Sequence, residues 1–445
     1  MTLYQKIHYD LKQDILTQRI KQGQRLPSIA KLSEMYQCSK GTVIKALDLL
    51  CTQHIIFSKP QSGYYVADHL IRESNIWKGY ILNTGNPLVN VLPTLDLKSC
   101  LNLATEAYAN HSLDITLEGI DSLHQSLIPY LAEDGIYTKR SHIYPIQGIT
   151  QILTFLTLFP FPNGKKNILI EEPTYSFYIS FLKLQHIQPY VIRRDEYGID
   201  LTLLETYFKE GDIKFFFTVP RNHNPLGTLY SYKQRKKIME LALKYDVYIV
   251  ENDYFGHAHK LPKYVPIHFF SNQEKCIYLR SFTKEIPILR IGVAVIPNSF
   301  KEVFEQISLQ SYYYSYHIPS LISQATLEAY IYSSIYQKHT AKIHQSITKK
   351  LNLVKIITAS WNPYYIVLIG AQSGYYFSLK LHPHIDVNTL ILHLEKQCVW
   401  VKTNEEMFYY PENYDNSIRL SISQVSQEQL REALDIIYRL VKSMV

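Results

Sequence analysis

The first fifty residues alternate between apolar and polar positions with the period of an α-helix. Apolar side chains recur every fourth residue near the N-terminus, and two later stretches repeat the pattern directly after Ser28 and Ser39. Serine is a preferred N-cap because its hydroxyl accepts a hydrogen bond from a free N–H group of the first turn. The pattern predicts three amphipathic helices with these apolar faces: Leu3, Ile7, Leu11 and Ile15; Ile29, Leu32, Met35 and Tyr36; Val43, Ala46, Leu47 and Leu50.

The second and third helices are separated only by the short break QCS, which predicts a helix-turn-helix. Lys40, Thr42 and Lys45 fall away from the apolar face of the third helix, where hydrogen-bond donors can reach phosphates and base edges. The following stretch IIFSKPQSGYYV, residues 55–66, predicts two short strands around a Pro/Gly turn. Helices followed by such a wing favour DNA binding, although a docking domain would show the same pattern.

Beyond residue 90, short β-rich runs alternate with helical stretches. The predicted strands are residues 167–172, 189–194, 214–220, 246–253, 275–281 and 290–297. Such alternation predicts a mainly parallel sheet covered by helices, with ligands bound beyond the carboxyl ends of its strands. Residues 68–90 show no sustained periodicity and contain Asn, Gly and Pro, which predicts a linker.

Four segments at predicted strand ends or loops are unusually polar. They are QGITQ (147–151), RNHNPLG (221–227), ENDYFGH (251–257) and SFTKEIPILRIG (281–292). In the last segment Lys284 precedes an apolar run. Either its aliphatic stem packs over a hydrophobic core, or its amine is kept away from water for a chemical reaction. Gly148 precedes an apolar helix, whose free N–H groups favour a phosphate.

The composition indicates what class of protein this chain is. A chain of 445 residues that is 46% hydrophobic and 19% charged is expected to fold into two or more domains. No apolar run is long enough to span a bilayer, so no membrane partner is expected. The five cysteines are scattered without CxxC spacing, which indicates a reduced, cytoplasmic protein without structural zinc. The pairs His257/His259 and His382/His384 lack clustered acids or cysteines, so no metal site is predicted.

The net charge of +7 is unevenly distributed. Residues 1–67 hold nine Lys and Arg against four acidic residues. This asymmetry favours a polyanionic partner at the N-terminal end, although an ordinary solvated basic surface would give the same count. The caps, periodicity, wing and charge together favour DNA.

The N-terminal region resembles the GntR-type winged helix in RLPS (25–28), SKGTVIKALDLL (39–50) and QSGYYV (61–66). The resemblance implies that these residues face double-stranded DNA, the last at the wing tip: Arg25, Ser28, Ser39, Lys40, Thr42, Lys45 and Gly63. This chain has Ile29 and Ala30 where the family often has a Glu-Arg pair whose arginine contacts a phosphate or base.

The four polar segments, in this order, resemble the fold-type I pyridoxal 5'-phosphate (PLP) enzymes of the aspartate aminotransferase group. Joined to the winged helix, they resemble the MocR family of bacterial transcriptional regulators from Leu3 to Tyr438. The resemblance implies an α/β main domain with helices on both faces of a mainly parallel sheet, and a smaller C-terminal α+β subdomain. We expect a DNA-binding domain at 1–68, a linker at 69–90 and the PLP or effector domain at 91–445, divided at about residue 300 into a large part (91–300) and a small part (301–445).

The resemblance also implies roles for the polar residues. Lys284 would form the Schiff base with the PLP aldehyde, which needs an amine of lowered pKa. Arg419, in NSIRLSIS, would pair with an effector carboxylate. The other implied cofactor contacts are Gly148, Ile149, Thr150 and Arg290 at the phosphate, Tyr175 stacked on the ring, Asn224 and Tyr254 at the phenolic oxygen, Asn252 at the pyridine nitrogen, and Ser281.

Several positions depart from the family pattern. The family usually has an aspartate in place of Asn252, and that acid keeps the pyridine nitrogen protonated so that the cofactor can absorb electrons. Asp253 could replace it only after a register shift of one residue, which would turn its side chain to the other face. The remaining departures are a Lys284–Arg290 segment one residue shorter than usual, Ile288 in place of a glycine, Asp114 in place of a tyrosine, and Leu123-His124 in place of Leu-Arg.

These observations predict a DNA-binding regulator whose aminotransferase-like domain binds PLP or an amino-compound effector and so controls promoter binding. The resemblance implies a head-to-tail homodimer whose two winged helices bind paired half-sites. A second hypothesis is an active PLP-dependent aminotransferase with an accessory DNA-binding head, which Asn252 disfavours. A third is a regulator whose degenerate pocket has lost PLP.

Overall fold

The computed structural model describes residues 2–17, 19–21, 23–53, 55–60, 62–67, 79–87, 94–108, 117–256, 261–315 and 318–445. The chain divides into two compact units, Met1–Lys78 and Gly79–Val445. Asp114, His257, His259 and the linker positions 69–78 and 88–90 lie outside the described residues. No helix in the described ranges has the length and apolar character needed to cross a membrane.

The first unit is a helical bundle followed by a hairpin. Its elements are α1 (Leu3–Leu16), α2 (Ile29–Met35), α3 (Lys40–Thr52), β1 (Ile56–Lys59) and β2 (Gly63–Val66). As predicted, the hydroxyls of Ser28 and Ser39 cap α2 and α3, each accepting a hydrogen bond of 3.2 Å from the N–H group three residues on. The two strands pair antiparallel, which confirms the predicted wing.

The apolar faces of the three helices form a common core, in which Ile7, Leu32 and Val43 are fully buried. Leu3 and Met35, which the periodicity assigned to these faces, are instead 43% and 62% exposed. Each is the terminal residue of its helix, where the apolar stripe extends past the core.

The second unit contains a large and a small sheet with helices around them. Its strands are β3 (Tyr80–Ile81), β4 (Ile143–Ile146), β5 (Asn167–Glu172), β6 (Tyr190–Asp195), β7 (Gly198–Ile199), β8 (Ile213–Thr218), β9 (Tyr248–Asp253), β10 (Cys276–Ser281), β11 (Gly292–Val295), β12 (Ile366–Ile369), β13 (Tyr376–Leu381), β14 (Val399–Trp400), β15 (Lys402–Thr403) and β16 (Ser417–Ser421). Its α-helices are α4 (Thr94–Tyr108), α5 (Asp121–Ala132), α6 (Ile149–Leu158), α7 (Ser176–Leu184), α8 (Leu201–Glu210), α9 (Tyr232–Lys244), α10 (Lys301–Ser315), α11 (Leu321–Tyr332), α12 (Ile335–Thr358), α13 (Val387–Lys396) and α14 (Gln427–Ser443).

The large sheet has the strand order β4-β11-β10-β9-β8-β5-β6-β7. The pairs from β10 to β6 are parallel, and the outer pairs are antiparallel. Because neighbouring residues of a strand face opposite sides, Phe217 and Val250 pack with α6 and α7, whereas Phe216 and Ile249 pack with α8 and α9. This arrangement confirms the predicted fold class of the main domain.

The small sheet is antiparallel, in the order β12-β13-β16-β15, and is covered by α12, α13 and α14. Leu379 and Leu420 of the sheet and Leu434 of α14 are fully buried between these layers. The predicted C-terminal α+β subdomain is therefore present.

The boundaries differ from the sequence-based ones in two places. β3 lies within the predicted linker 69–90 but pairs with β14, and Leu82 is fully buried in the small subdomain. α10 and α11 were assigned to the small part, yet Phe304 packs in the core beneath α6 and Leu327 in the core of α4 and α5. Both differences arise because a helical stripe or a two-residue strand does not specify which layer it covers.

Candidate cofactor pocket and DNA-binding surface

Lys284 lies in the loop that joins β10 to β11, at the carboxyl end of β10. The strands are antiparallel, with Ser281 opposite Gly292. A Cβ at Gly292 would lie 2.4 Å from the carbonyl oxygen of Arg280, so the loop closes this tightly only around a glycine. The Ser281 hydroxyl bonds within the loop to Thr283 Oγ1 at 2.8 Å. SFTKEIPILRIG thus holds Lys284 at the sheet edge where ligands bind in such folds.

The amine of Lys284 is held by a segment nearly two hundred residues away in sequence. Its Nζ donates to the carbonyl oxygen of Gly85 at 2.9 Å and to Asn86 Oδ1 at 2.7 Å. Burial of the amine, and secondarily the positive charge of Arg419, lower the pKa of Lys284 to about 7. A neutral amine is the nucleophilic form of lysine.

Arg419 projects from β16 toward the same region. Its Nη1 donates to Asn224 Oδ1 at 3.2 Å and its Nη2 to the carbonyl oxygen of Asn83 at 2.7 Å. Its guanidinium lies 4.9 Å from the centroid of the Tyr376 ring. The residue is 7% exposed, and its Nε has no hydrogen-bond partner among the described residues. A buried guanidinium with an unused donor suits an anionic ligand.

Asn252 and Asp253 are neighbours on β9 with opposite surroundings. Asn252 is 4% exposed, and its Oδ1 has no hydrogen-bond partner within the described ranges. Asp253 accepts from Arg221 Nε at 2.7 Å and from Arg221 Nη2 at 2.5 Å, and Tyr278 donates to it at 2.6 Å. Because successive side chains point to opposite faces, Asp253 is committed to this ion pair and only Asn252 shares the face of Val250.

The phosphate-side candidates lie around the start of α6. Within the part of the chain that the structure describes, this helix begins at Ile149 without a side-chain cap, and a Cβ added at Gly148 would meet no atom within 4 Å. Thr150 Oγ1 lies 3.2 Å from the Tyr175 hydroxyl. Burial raises the pKa of Tyr175, whereas the nearby charge of Arg290 opposes that rise. Arg290 itself is solvent-exposed.

Tyr254 links the two groups of candidates. Its hydroxyl donates to the carbonyl oxygen of Asn222 at 2.7 Å, in the segment that also carries Asn224. Burial raises its pKa well above the usual value, Tyr376 and Tyr175 raise it further, and the charge of Arg419 opposes the rise. The structure therefore brings Lys284, Arg419 and these aromatic residues into one cluster, which we call the pocket.

The pocket contains residues that sequence reasoning missed. Asn83, Gly85 and Asn86 were assigned to the linker because they lie in a stretch rich in Asn, Gly and Pro. A Cβ at Gly85 would lie 1.8 Å from the Tyr376 hydroxyl oxygen, so only a glycine allows the backbone to approach that side chain so closely. The usable signal was a short apolar run, YIL (80–82), followed by Asn-Thr-Gly-Asn-Pro (83–87), which is typical of a strand ending at a turn.

In the first unit, the predicted DNA-facing side chains surround α3 and the wing. Lys40 and Lys45 are exposed on α3, and Lys45 Nζ lies 4.4 Å from the Tyr4 ring centroid. The hydroxyls of Ser39 and Thr42 bond to each other at 2.9 Å at the start of α3. Gly63 has a φ of 108°, which favours glycine, and a Cβ there would lie 3.2 Å from Arg25 Nε.

Ser28 is also exposed, at the start of α2. The described candidates thus form two groups. One is the polar face of α3, and the other comprises Gly63 of the wing, the adjacent Arg25 and Ser28 at the start of α2. Both groups consist of donors, as phosphate and base-edge contacts require.

Comparisons with known proteins agree with both units. Residues 81–437 match the family Aminotransferase class I and II, and residues 3–66 match Bacterial regulatory proteins, gntR family. The HTH-type transcriptional regulator YcxD of Bacillus subtilis (strain 168) is 34% identical over 94% of this chain and 95% of its own. The HTH-type transcriptional regulator NorG of Staphylococcus aureus (strain USA300) is 23% identical over 94% of this chain and 100% of its own.

Among solved structures, a multiple substrate aminotransferase from Thermococcus profundus superposes with a TM-score of 0.72 at 23% identity, covering 82% of this chain and 91% of its own. Kynurenine aminotransferase from Pyrococcus horikoshii gives a TM-score of 0.73 at 22% identity, with coverage of 82% and 91%. These similarities show the fold of the second unit. The chain belongs to the bacterial GntR-type transcriptional regulators that carry an aminotransferase class I and II domain, the MocR type.

Proposed function

We propose that the second unit binds PLP covalently at Lys284 and that its occupancy by PLP or an amino compound controls DNA binding by the first unit. One observation carries the proposal. Lys284 and Arg419 converge from different subdomains on the same short segment, Asn83–Asn86. An amine nucleophile and a buried cation at one site suit a ligand that has both an aldehyde-reactive group and an anionic group.

Besides Lys284 and Arg419, the residues present fit PLP at two places. The uncapped start of α6 offers free N–H groups to a phosphate, and Gly148 leaves open space there. Asn252 Oδ1, which has no partner in the described ranges, can accept a hydrogen bond from a ring N–H. When bound, PLP supplies an aldehyde that condenses with a primary amine and a ring that withdraws electrons.

The protein's own residues favour capture over turnover. Asn252 can accept one hydrogen bond but supplies no negative charge to hold a ring nitrogen protonated, and Asp253 faces Arg221 instead. Arg419 holds an anionic group, Asn224 orients Arg419, and Lys284 holds the aldehyde carbon. We therefore assign the pocket to sensing, in the cytoplasm where the operator DNA lies.

The same family membership supports a head-to-tail homodimer that presents two winged helices to paired half-sites. For such a dimer the spacing of half-sites must match the separation of the two α3 helices. Light scattering of the purified protein and footprinting on its own upstream DNA test this arrangement. A monomer that protects a single site would contradict it.

The central experiment is an absorbance spectrum of the purified protein with and without PLP, beside DNA-binding measurements. We expect a PLP-dependent band near the visible edge, its removal by borohydride, and a borohydride-fixed adduct on the peptide that contains Lys284. Lys284→Ala should form no such adduct. DNA affinity should change on addition of PLP or an amine. Absence of the adduct in the wild type would favour a pocket that has lost PLP, and repeated turnover of amino donors would favour an aminotransferase.

A further inference from the structure

The segment Asn83–Asn86, which we call the strap, lies against both Lys284 and Arg419. It follows β3, which is anchored to the small subdomain by pairing with β14. Its carbonyl oxygens and one side chain accept hydrogen bonds from both proposed ligand-binding cations, Lys284 and Arg419. The strap therefore occupies the donors that a ligand would use.

Two side chains hold the strap from the opposite side. Ser423 Oγ donates to the carbonyl oxygen of Thr84 at 2.7 Å, and Gln424 Nε2 donates to the carbonyl oxygen of Asn86 at 2.7 Å. Neither residue has a hydrogen bond to Lys284 or Arg419 among the described residues. The side chains of Ser423 and Gln424 can thus be truncated without altering the proposed ligand-binding residues.

The chemistry at Lys284 makes its contact with the strap incompatible with covalent capture. A neutral lysine amine has two hydrogens, and the structure provides two acceptors, Gly85 O and Asn86 Oδ1. Condensation with an aldehyde forms one C=N bond, and the aldehyde oxygen leaves as water with both amine hydrogens. If the nitrogen then takes up a proton, it has a single N–H group. At least one of the two hydrogen bonds to the strap is lost.

We propose that the strap is a release device: capture of an aldehyde at Lys284 frees Asn83–Asn86 and thereby loosens the start of the second unit. The strap begins four residues after Gly79, where the second unit starts and the connection from the DNA-binding unit ends. Because the docked strap accepts two hydrogen bonds from the unreacted amine and at most one from the reacted nitrogen, the ligand discriminates between two states, as coupling requires. This inference rests on the proposed function. It adds that the strap is the segment through which ligand capture reaches the start of the second unit.

The test uses the full-length protein and PLP as the probe. In the wild type, hydrogen exchange of the peptide that covers residues 79–87 should accelerate when PLP is added. The double variant Ser423→Ala/Gln424→Ala should bind PLP about 3- to 10-fold more tightly in an absorbance titration, because the hydrogen bonds it removes stabilise only the docked strap. Its DNA affinity without PLP should move toward that of the PLP-loaded wild type.

The matched control is Gln427→Ala/Ser443→Ala, which removes the same two side-chain types at exposed positions of α14. It should leave PLP affinity and exchange unchanged. Asn86→Ala is a second way to weaken the docked strap, because it removes one of the two acceptors of the Lys284 amine. This variant should also bind PLP more tightly. If PLP forms its band but neither exchange nor PLP affinity responds to these changes, the strap inference is overturned and the proposed function stands. If no band forms in any variant, both are overturned.

Discussion

At the scale of single residues, β9 shows how one position decides what the pocket can do. Asn252 Oδ1 has no hydrogen-bond partner among the residues that the structure describes, and the next residue, Asp253, is neutralised by Arg221 on the other face. The acid that could hold a cofactor ring protonated is present in the sequence but is on the wrong side of the strand. Under the proposed function, the alternation of side chains along the strand leaves a bound cofactor ring without a charged partner.

Asn252→Asp should restore the missing charge. We expect the PLP-loaded variant to react with amino donors about 10- to 100-fold faster than the wild type, as a hydrogen bond to a charged group allows. Stopped-flow absorbance of a single half-reaction measures this. The converse swap, Asp253→Asn, should leave the spectrum unchanged but lower the free energy of unfolding by about 3 kcal/mol, because it weakens a buried ion pair. Equal half-reaction rates in Asn252→Asp and the wild type would contradict the assignment.

The amine of Lys284 should titrate near neutrality. Its pKa is lowered to about 7, so the neutral, reactive fraction rises as the pH rises through that value. The rate of adduct formation with PLP should increase roughly tenfold from pH 6 to pH 8 and then level off, whereas an ordinary lysine would continue to gain reactivity to pH 10. Arg419→Gln removes a positive charge that disfavours the ammonium form of Lys284, so the midpoint of this pH profile should move to higher pH. A midpoint that does not move would show that Arg419 has no influence on this amine.

At the scale of elements, α3 combines two requirements in one short helix. Its buried face, with Val43 and Leu47 fully enclosed, fixes the helix in the bundle, while its other face presents Lys40 and Lys45 to solvent. Ser39 begins the helix by capping it, so the same residue sets where the exposed lysines start. Rigid presentation of donors is what a groove-reading helix needs.

Lys40→Gln and Lys45→Gln should each weaken binding to the upstream DNA. If these lysines contact phosphates, each loss should reduce the slope of log affinity against log salt by about 1 and affect specific and unrelated DNA alike. Fluorescence anisotropy at several salt concentrations measures both effects. Lys396→Gln, an exposed lysine at the end of α13, is the control and should leave affinity and slope unchanged. A loss confined to the specific site would indicate base contact instead.

At the scale of the whole molecule, the small subdomain is assembled from two distant parts of the chain. Residues 79–87 supply β3, the buried Leu82 and the strap, while the rest comes from the C-terminal third. The first described residues of the second unit are therefore part of the small subdomain's core and contact Lys284 and Arg419.

Truncation tests this assembly. A fragment that begins at residue 79 should melt cooperatively, whereas one that begins at residue 91 should melt at lower temperature. The shorter fragment loses the β3–β14 pairing and the burial of Leu82, the latter alone contributing about 2 kcal/mol. Calorimetry of the two fragments measures both melting temperatures. Equal melting temperatures would indicate that residues 79–90 behave as the predicted linker.

The sequence by itself determined what depends on neighbouring residues. The serine caps of α2 and α3, the runs that form β5, β8, β9 and β10, and the polar loop around Lys284 were all predicted, since capping and periodicity act within a few positions. Only the tertiary structure decided what meets across the chain. Lys284 meets Gly85 and Asn86, and Arg419 meets Asn83, because long-range packing brings together segments whose local patterns carry no record of each other. The linker-like composition of the strap therefore concealed its place in the pocket until the fold was known.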